Sequence, residues 1–196
     1  MIKRLFDIVF SFLGLVITSP FLIVIAILVK IDSKGPVFYR QVRVGKNSID
    51  FKIYKFRTMH INSDKLGLLT VGDRDPRVTT IGYVLRKYKL DELPQLINVF
   101  TGNMSFVGPR PEVRKYVELY SDSDIEILSV KPGITDYASI KYRNEAEAMK
   151  NSNQPEQTYI NEIMPEKIKL NKVYIANHNL ITDIKIILMT IKVILT

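Results

Sequence analysis

The sequence predicts an α+β protein, mostly helical, on an apolar N-terminal anchor, and three observations carry that expectation. From Ile8 to Val29 no residue is charged, and about 20 apolar residues are enough to cross the hydrocarbon core of a bilayer. Two runs rich in β-branched and aromatic residues, Val37 to Val44 and Ile49 to Phe56, flank the turn sequence Gly45-Lys46-Asn47-Ser48 and predict one β-hairpin. Helical periodicity then runs from Ile81 to Tyr88 and resumes at Leu93, Leu96, Ile97 and Phe100, which share one face.

The 196 residues suit a single domain with a sizeable core. Net charge is +8 and the pI about 9.5, which points to nucleic acid, an anionic membrane or a phosphate-rich substrate. The basic residues sit at segment flanks and motif positions rather than in one run, and no base-reading motif is present. Membrane and phosphate are the better reading. The absence of cysteine excludes disulfides and thiolate metal sites.

Lys3, Arg4 and Lys30 flank the apolar segment. A signal peptide would have a shorter apolar stretch and a small-residue cleavage site, and the length also argues against a buried core helix. Membrane insertion is therefore expected. Ser19-Pro20 lies mid-segment, where proline kinks or breaks a helix. Cations at both ends give no direction by the positive-inside rule. A helix that enters and leaves by one face and an ordinary kinked spanning helix both fit.

Gly35-Pro36 breaks the structure after the anchor, and the chain divides into a membrane segment, residues 1–31, and a folded domain, residues 32–196. Residues 61–80 read as loop around Gly67, Gly72 and Asp75-Pro76, with Asx turns as the ordinary role of Asp73, Asp75 and Arg77. Gly102-Asn103 stops a helix, Val107 to Pro111 is rigid loop, Glu112 to Tyr120 a short helix, and Lys131-Pro132-Gly133 opens a loop. Residues 144–163, with Asn144, Glu145 and Glu147, read as polar surface helix and linker. Leu180 to Leu195 is apolar but carries Asp183, Lys185 and Lys192, which suits an amphipathic helix on the membrane or the core.

The densest polar constellation is Arg86-Lys87-Tyr88-Lys89-Leu90-Asp91-Glu92-Leu93-Pro94. Pro94 fits only a first helical turn, so a helix should begin near Leu90 or Asp91. Asp91 and Glu92 then sit where backbone N–H groups gather and phosphate binds. A carboxylate among cations can attack phosphorus, and its neighbour can hold Mg²⁺ with substrate phosphates. Helix capping is the ordinary explanation of such a pair. The segment Gly108-Pro109-Arg110-Pro111 changes that balance, because a stiffened arginine suits bidentate phosphate recognition. Lys55 and Arg57 end the second strand and are lesser candidates for phosphate contacts. His60 and His178 are isolated and suggest no zinc site.

Together these residues identify a resemblance to the bacterial sugar transferase family, the small monotopic phosphoglycosyl transferases. The matching pieces, in order, are Lys3-Arg4-Leu5-Phe6-Asp7, Ser19-Pro20, Gly35-Pro36-Val37-Phe38, Lys55-Phe56-Arg57-Thr58-Met59 and Asp75-Pro76-Arg77-Val78-Thr79. They continue with Leu90-Asp91-Glu92-Leu93-Pro94-Gln95-Leu96, Val107-Gly108-Pro109-Arg110-Pro111 and Lys131-Pro132-Gly133-Ile134-Thr135. The resemblance implies an α+β, mostly helical domain with a small β-hairpin, on a re-entrant helix broken at Ser19-Pro20, with amphipathic helices at the interface. It implies Asp91 as nucleophile on the sugar-bearing phosphate of a UDP-sugar, Glu92 as Mg²⁺ ligand, and Arg86 and Arg110 as phosphate contacts. UMP would leave, and polyprenyl phosphate would resolve a phosphosugar-aspartyl enzyme at the cytoplasmic face of the bacterial membrane. The partners expected are a UDP-sugar, polyprenyl phosphate and membrane lipid, with a homodimer left open and nucleic acid excluded. Where many members have a glycine and an aromatic-containing Gln-Val segment, this chain has Asp136-Tyr137-Ala138-Ser139-Ile140, and if that loop touches the sugar their sugar specificity does not carry over. A non-catalytic membrane-anchored adaptor that binds anionic lipid or nucleotide-sugar is the alternative.

Overall fold

The computed structural model describes residues 1–63, 67, 69, 75–145, 149 and 152–195. Gly72, Asp73 and Glu147 lie outside the described residues. Ile2–Asp32 form one helix of 31 residues, α1, with Pro20 inside it. Proline cannot donate to the carbonyl one turn earlier. Here the Ser19 hydroxyl donates to that carbonyl, Val16 O, at 2.8 Å. The Ser19-Pro20 pair, expected as a break, thus stands within continuous helix, the serine supplying the donor that proline lacks.

α1 lies along the rest of the molecule on a single stripe. Asp7, Ser11, Ile25 and Val29 are buried, with Gly14, Thr18 and Leu22 half-buried between them. These positions recur at helical period, so one face is inward for the whole length of the helix. At the middle, Gly14 leaves room for Leu96, whose Cδ1 would lie 3.2 Å from an added Cβ. The opposite face is left uncovered: Phe12, Val16, Ile17, Phe21, Val24, Ile27 and Leu28 are all exposed. By length and composition α1 could cross a membrane, and an apolar face of this extent is compatible with membrane association.

The expected hairpin is present. β1 (Phe38–Val44) pairs antiparallel with β2 (Asp50–Phe56), Val44 opposite Asp50, across a tight turn in which Asn47 and Ser48 have positive φ. Its inner face, Phe51 and Ile53, packs on Val99 and Met104. Phe56 closes over Ile25 and Val29 of α1 and Leu85 of α2 (Thr80–Lys87). Thr79 caps α2 through Gly82 N at 3.0 Å, and Asp32, the last residue of α1, accepts Ile81 N at 3.0 Å. After α2 come a 3-10 turn, Leu90–Glu92, and α3 (Gln95–Thr101), which ends at Gly102 with φ +92.

The expected loops at Val107 and Gly133 contain a second small sheet. β3 (Ser105–Val107) runs parallel to β4 (Gly133–Thr135). Among the described residues the remaining α-helices are α4 (Arg114–Val117), α5 (Tyr137–Lys141), α6 (Pro155–Thr158), α7 (Met164–Ala176) and α8 (Leu180–Leu195). The polar surface expected over 144–163 is corrected in part: Tyr159 and Ile163 form a π-helical turn inside the largest core cluster, with Met164, Ile168, Tyr116 and Ile127. α8 buries Asp183 and Ile186 and exposes Ile181, Ile184, Leu188 and Ile191, the amphipathic pattern expected of it.

Candidate active site

The site begins where α2 ends. Lys89 adopts φ +56, a left-handed conformation uncommon outside glycine, and turns the chain sharply into the 3-10 turn that carries Asp91 and Glu92. Pro94 then caps α3, which starts at Gln95; the helix expected to begin near Leu90 or Asp91 is at that point a 3-10 turn, and the α-helix begins after the proline. The turn presses Asp91 into the interior, 6% exposed.

Glu92 is the hub. Lys55 at the end of β2 donates to its Oε1 at 2.8 Å, and Arg110 holds both of its oxygens, Nη1 to Oε2 at 3.2 Å. Burial opposes ionisation of Glu92, but the Arg110 and Lys55 charges outweigh it and hold the carboxyl well below the ordinary glutamate range. The Glu92 charge in turn raises Arg110. Asp91 is the reverse case: burial first, then the charge of Glu92, push its carboxyl up, against the pull of Lys55, Arg86 and Lys89. Its Oδ1 is buried with no hydrogen-bond partner among the described residues. The nearest cations therefore stabilise Glu92, and Asp91 is left underserved. Burial also lowers Arg86, with Asp91 and Asp75 acting against it.

Arg110 is aimed by backbone packing that explains the flanking glycines. A Cβ on Gly133 would fall 2.1 Å from Gly108 N, and one on Gly108 would fall 2.3 Å from Lys131 O. Only glycines permit this approach, which allows Gly133 N to reach Pro109 O at 3.0 Å and Gly108 N to reach Thr135 O at 3.1 Å. Asp136 completes the support, accepting Arg110 N at 3.0 Å and Ser139 N at 2.5 Å as it caps α5. The segment Asp136 to Ile140 that departs from the family pattern is thus part of the platform under Arg110.

A cavity of about 850 Å³ opens beside the dyad, bounded by Arg86, Glu92 and Arg110 at one part of its wall and by Arg43, Glu112 and Glu145 at another. That is ample for a nucleotide-sugar. Asp91 adjoins Glu92 in the chain but does not itself line the cavity. The second group of residues was not singled out from the sequence. Glu112 accepts Tyr159 Oη at 2.5 Å and Lys167 Nζ at 3.1 Å, Arg43 lies 3.7 Å from its other oxygen, and Lys167 reaches Glu145 at 3.1 Å. The available signal was Glu112 itself, one residue beyond Pro111 in the rigid segment.

Two of the expected phosphate contacts are brought to the dyad with Arg86, namely Lys55 and Arg110. Arg57 is not: its guanidinium donates to the carbonyls of Val29 (3.1 Å), Ser33 (2.7 Å) and Lys34, closing the C-terminal end of α1. Buried helix-end carbonyls need donors, and Arg57 supplies them. Asp75 and Arg77 pair with each other at 2.6 Å, and Arg77 also bonds the Gly67 and Leu69 carbonyls, the local structural role expected.

Among the described residues no group of three or more His, Asp or Glu could hold a metal ion. A divalent ion would rest on the dyad and on substrate oxygens, as Mg²⁺ commonly does. The residues fit that arrangement: Glu92 Oε1 is taken by two cations, Oε2 accepts one bond and keeps a lone pair, and Asp91 Oδ1 has no partner.

Comparison with known proteins gives the same direction. A 40% identical relative, matched over 100% of this chain and 44% of its own length, is the UDP-N-acetylgalactosamine-undecaprenyl-phosphate N-acetylgalactosaminephosphotransferase of Aeromonas hydrophila. The UDP-glucose:undecaprenyl-phosphate glucose-1-phosphate transferase of Escherichia coli K12 is 38% identical over 97% of this chain and 39% of its own. The exopolysaccharide production protein ExoY of Sinorhizobium fredii is 34% identical over 96% of this chain and 83% of its own. The chain thus spans less than half the length of the first two. The family model for bacterial sugar transferases matches residues 1–196, and the chain belongs to that family.

Proposed function

We propose that this chain is a phosphoglycosyl transferase that moves a sugar-1-phosphate from a UDP-sugar to a polyprenyl phosphate, undecaprenyl phosphate being the acceptor named for its relatives. The observation that supports the reading is the Asp91-Glu92 pair: one carboxylate bonded by Lys55 and Arg110 beside one whose buried Oδ1 has no hydrogen bond among the described residues, next to a cavity lined by Arg86, Arg110 and Arg43. In the first step an Asp91 carboxylate oxygen bonds to the sugar-bearing phosphorus, the bond to the bridging oxygen breaks, and UMP leaves as an anion. In the second, a phosphate oxygen of the polyprenyl phosphate attacks the same phosphorus, releasing Asp91 as carboxylate and forming polyprenyl-diphosphate-sugar. Neither step consumes a proton or an electron. Asp91, buried at rest, turns toward the Glu92 wall to reach the donor. Arg110, Arg86 and Lys55 offset the charge on the diphosphate, and such positioning is where phosphoryl transfer gains most of its rate. Mg²⁺ bound at Glu92 Oε2 would neutralise diphosphate oxygens further.

The same reading places the enzyme on one membrane face, the cytoplasmic face of the bacterial membrane. A straight helix of α1's length would extend about 45 Å, enough to carry its ends to opposite sides of a bilayer. Both ends, however, bond to the same folded body: Arg4 to α3, and Asp32 to α2. With its inward stripe continuous and both ends tied to one body, α1 is read as a membrane-embedded helix whose two ends stay on the side of that body, its outer side in lipid. Single cysteines beside Met1 and Ser33 in this cysteine-free chain test it; labelling from opposite faces would rule the arrangement out.

The reaction is tested by UMP release over a panel of UDP-sugars with undecaprenyl phosphate in mixed micelles. Acceptor-dependent release with at least one donor is expected. Retention of every donor intact would favour a binding adaptor instead.

A further inference from the structure

The first turns of α1 do more than begin the anchor. Arg4 donates to the carbonyls of Val99 at 2.6 Å and Phe100 at 2.8 Å, near the C-terminal end of α3. Asp7, buried, accepts Ser105 Oγ at 3.1 Å and Phe106 N at 3.2 Å on β3. Lys3 donates to Val107 O at 3.0 Å at the end of the same strand and pairs with buried Asp183 of α8, where Tyr174 Oη stands 2.7 Å from the carboxylate. These three side chains therefore hold two elements together. One, α3, follows directly on the turn carrying Asp91 and Glu92; the other, β3, leads through Gly108 and Pro109 into Arg110. The Arg110–Glu92 pair is the point where the two meet again.

We propose that Lys3, Arg4 and Asp7 are positioning residues for the transfer reaction: a bracket at the entry of the membrane helix that sets the spacing between β3 and α3, and through it the seating of Arg110 on Glu92. The inference rests on the catalytic reading of the dyad given above. It assigns to the basic start of the anchor an inward, structural task, because Lys3 and Arg4 direct their charges to protein carbonyls and to Asp183. It also ties catalysis to the seating of the anchor. A helix drawn out of place at its first turns loosens β3, and the guanidinium that holds Glu92 goes with it. A displacement of about 1 Å in such a group costs on the order of 10²-fold in rate.

The test uses the full chain in lipid nanodiscs, with Asp7→Ala and Arg4→Met as the disruptive variants and Asp7→Asn as the conservative one, since an amide oxygen still accepts both β3 donors. Two readouts are taken: the split of any loss between kcat and KM for UMP release, and hydrogen exchange over residues 90–96 and 105–110. The bracket predicts an approximately 10²-fold loss of rate in Asp7→Ala and Arg4→Met, carried in kcat, and faster exchange in both segments. Asp7→Asn recovers most of each. A variant that inserts but loses rate with exchange over both segments unchanged overturns the proposal, as does full activity in Asp7→Ala. If Asp7→Ala fails to insert, Arg4→Met and Asp7→Asn decide by the same criteria. Should the wild-type chain release no UMP from any donor, the catalytic reading fails, and the exchange data still decide whether the bracket holds β3 and α3.

Discussion

Two buried ionic clusters border the same cavity and are built to opposite ends. Around Glu112 the charges are matched: Arg43 and Lys167 face Glu112 and Glu145, and Tyr159 adds a hydroxyl donor. Burial opposes the Glu112 charge, yet Lys167 and Arg43 outweigh it and keep the carboxyl low; Lys167 is raised in return, its burial outweighed by Glu112 and Glu145. Around Glu92 the cations are shared unevenly: Lys55 and Arg110 bond to Glu92, while Lys55, Arg86 and Lys89 act on Asp91 through their charge. The first cluster is complete without a ligand. The second bonds Lys55 and Arg110 to one carboxylate and leaves, among the described residues, the buried Asp91 Oδ1 without a hydrogen bond, an arrangement the proposed transfer would use. A matched cluster holds the fold; an unmatched one is available for chemistry.

That contrast is broken most sharply by Asp91→Asn. It should lower transfer by at least about 10⁴-fold, as loss of a nucleophile does elsewhere. Its thermal unfolding should stay at or above the wild-type temperature, because a buried, poorly compensated charge is removed. A marked fall in unfolding temperature would place Asp91 with the structural carboxylates. Lys167→Met should do the opposite. Removing one partner of a buried network costs about 3–5 kcal/mol, so chemical denaturation should show a large loss while the folded fraction still turns over. Unchanged stability with lost activity would move Glu112 and Lys167 into the reaction. Arg110→Lys keeps a charge but loses the two-pronged grip on Glu92, and a fall of roughly 10²-fold in kcat/KM is expected from one missing electrostatic contact.

The smallest effect separates the two members of the dyad by pH. In the proposed mechanism Asp91 attacks as the carboxylate, and burial and Glu92 hold its carboxyl above the ordinary value of 3.8. Turnover should therefore fall as pH drops through that raised value. Glu92 is depressed, so the stability it contributes is fully present above its ordinary 4.5 and is lost only as pH falls through its lower folded-state value. On acidification, activity should disappear before the fold does. Coincident loss of both in parallel rate and circular-dichroism titrations would contradict the assignment.

Much of this was legible in the sequence, for reasons that are local. The hairpin follows from alternation and turn residues, and the dyad and Arg110 from prolines that fix where a helix begins and where a guanidinium can point. What was not legible depends on distant partners. β3 and β4 are three residues each, too short to carry a period, and pair across a gap of some 25 residues. The charge on Arg57 says nothing of the α1 carbonyls it caps. Tyr159 lies in a polar stretch and is buried by Tyr116 and Met164, which the sequence alone does not bring near it. The Ser19 hydroxyl that bridges the proline gap turns an expected break into an internal repair.

The central claim is that Asp91 carries the sugar-phosphate. Intact-protein mass spectrometry of the chain incubated with its UDP-sugar and Mg²⁺, without polyprenyl phosphate, tests it most directly. A mass gain equal to one sugar-phosphate, with matching UMP release and absent from Asp91→Asn, is the predicted result. UMP release that appears only when polyprenyl phosphate is added, with the protein mass unchanged throughout, would contradict it and make the transfer a single direct displacement.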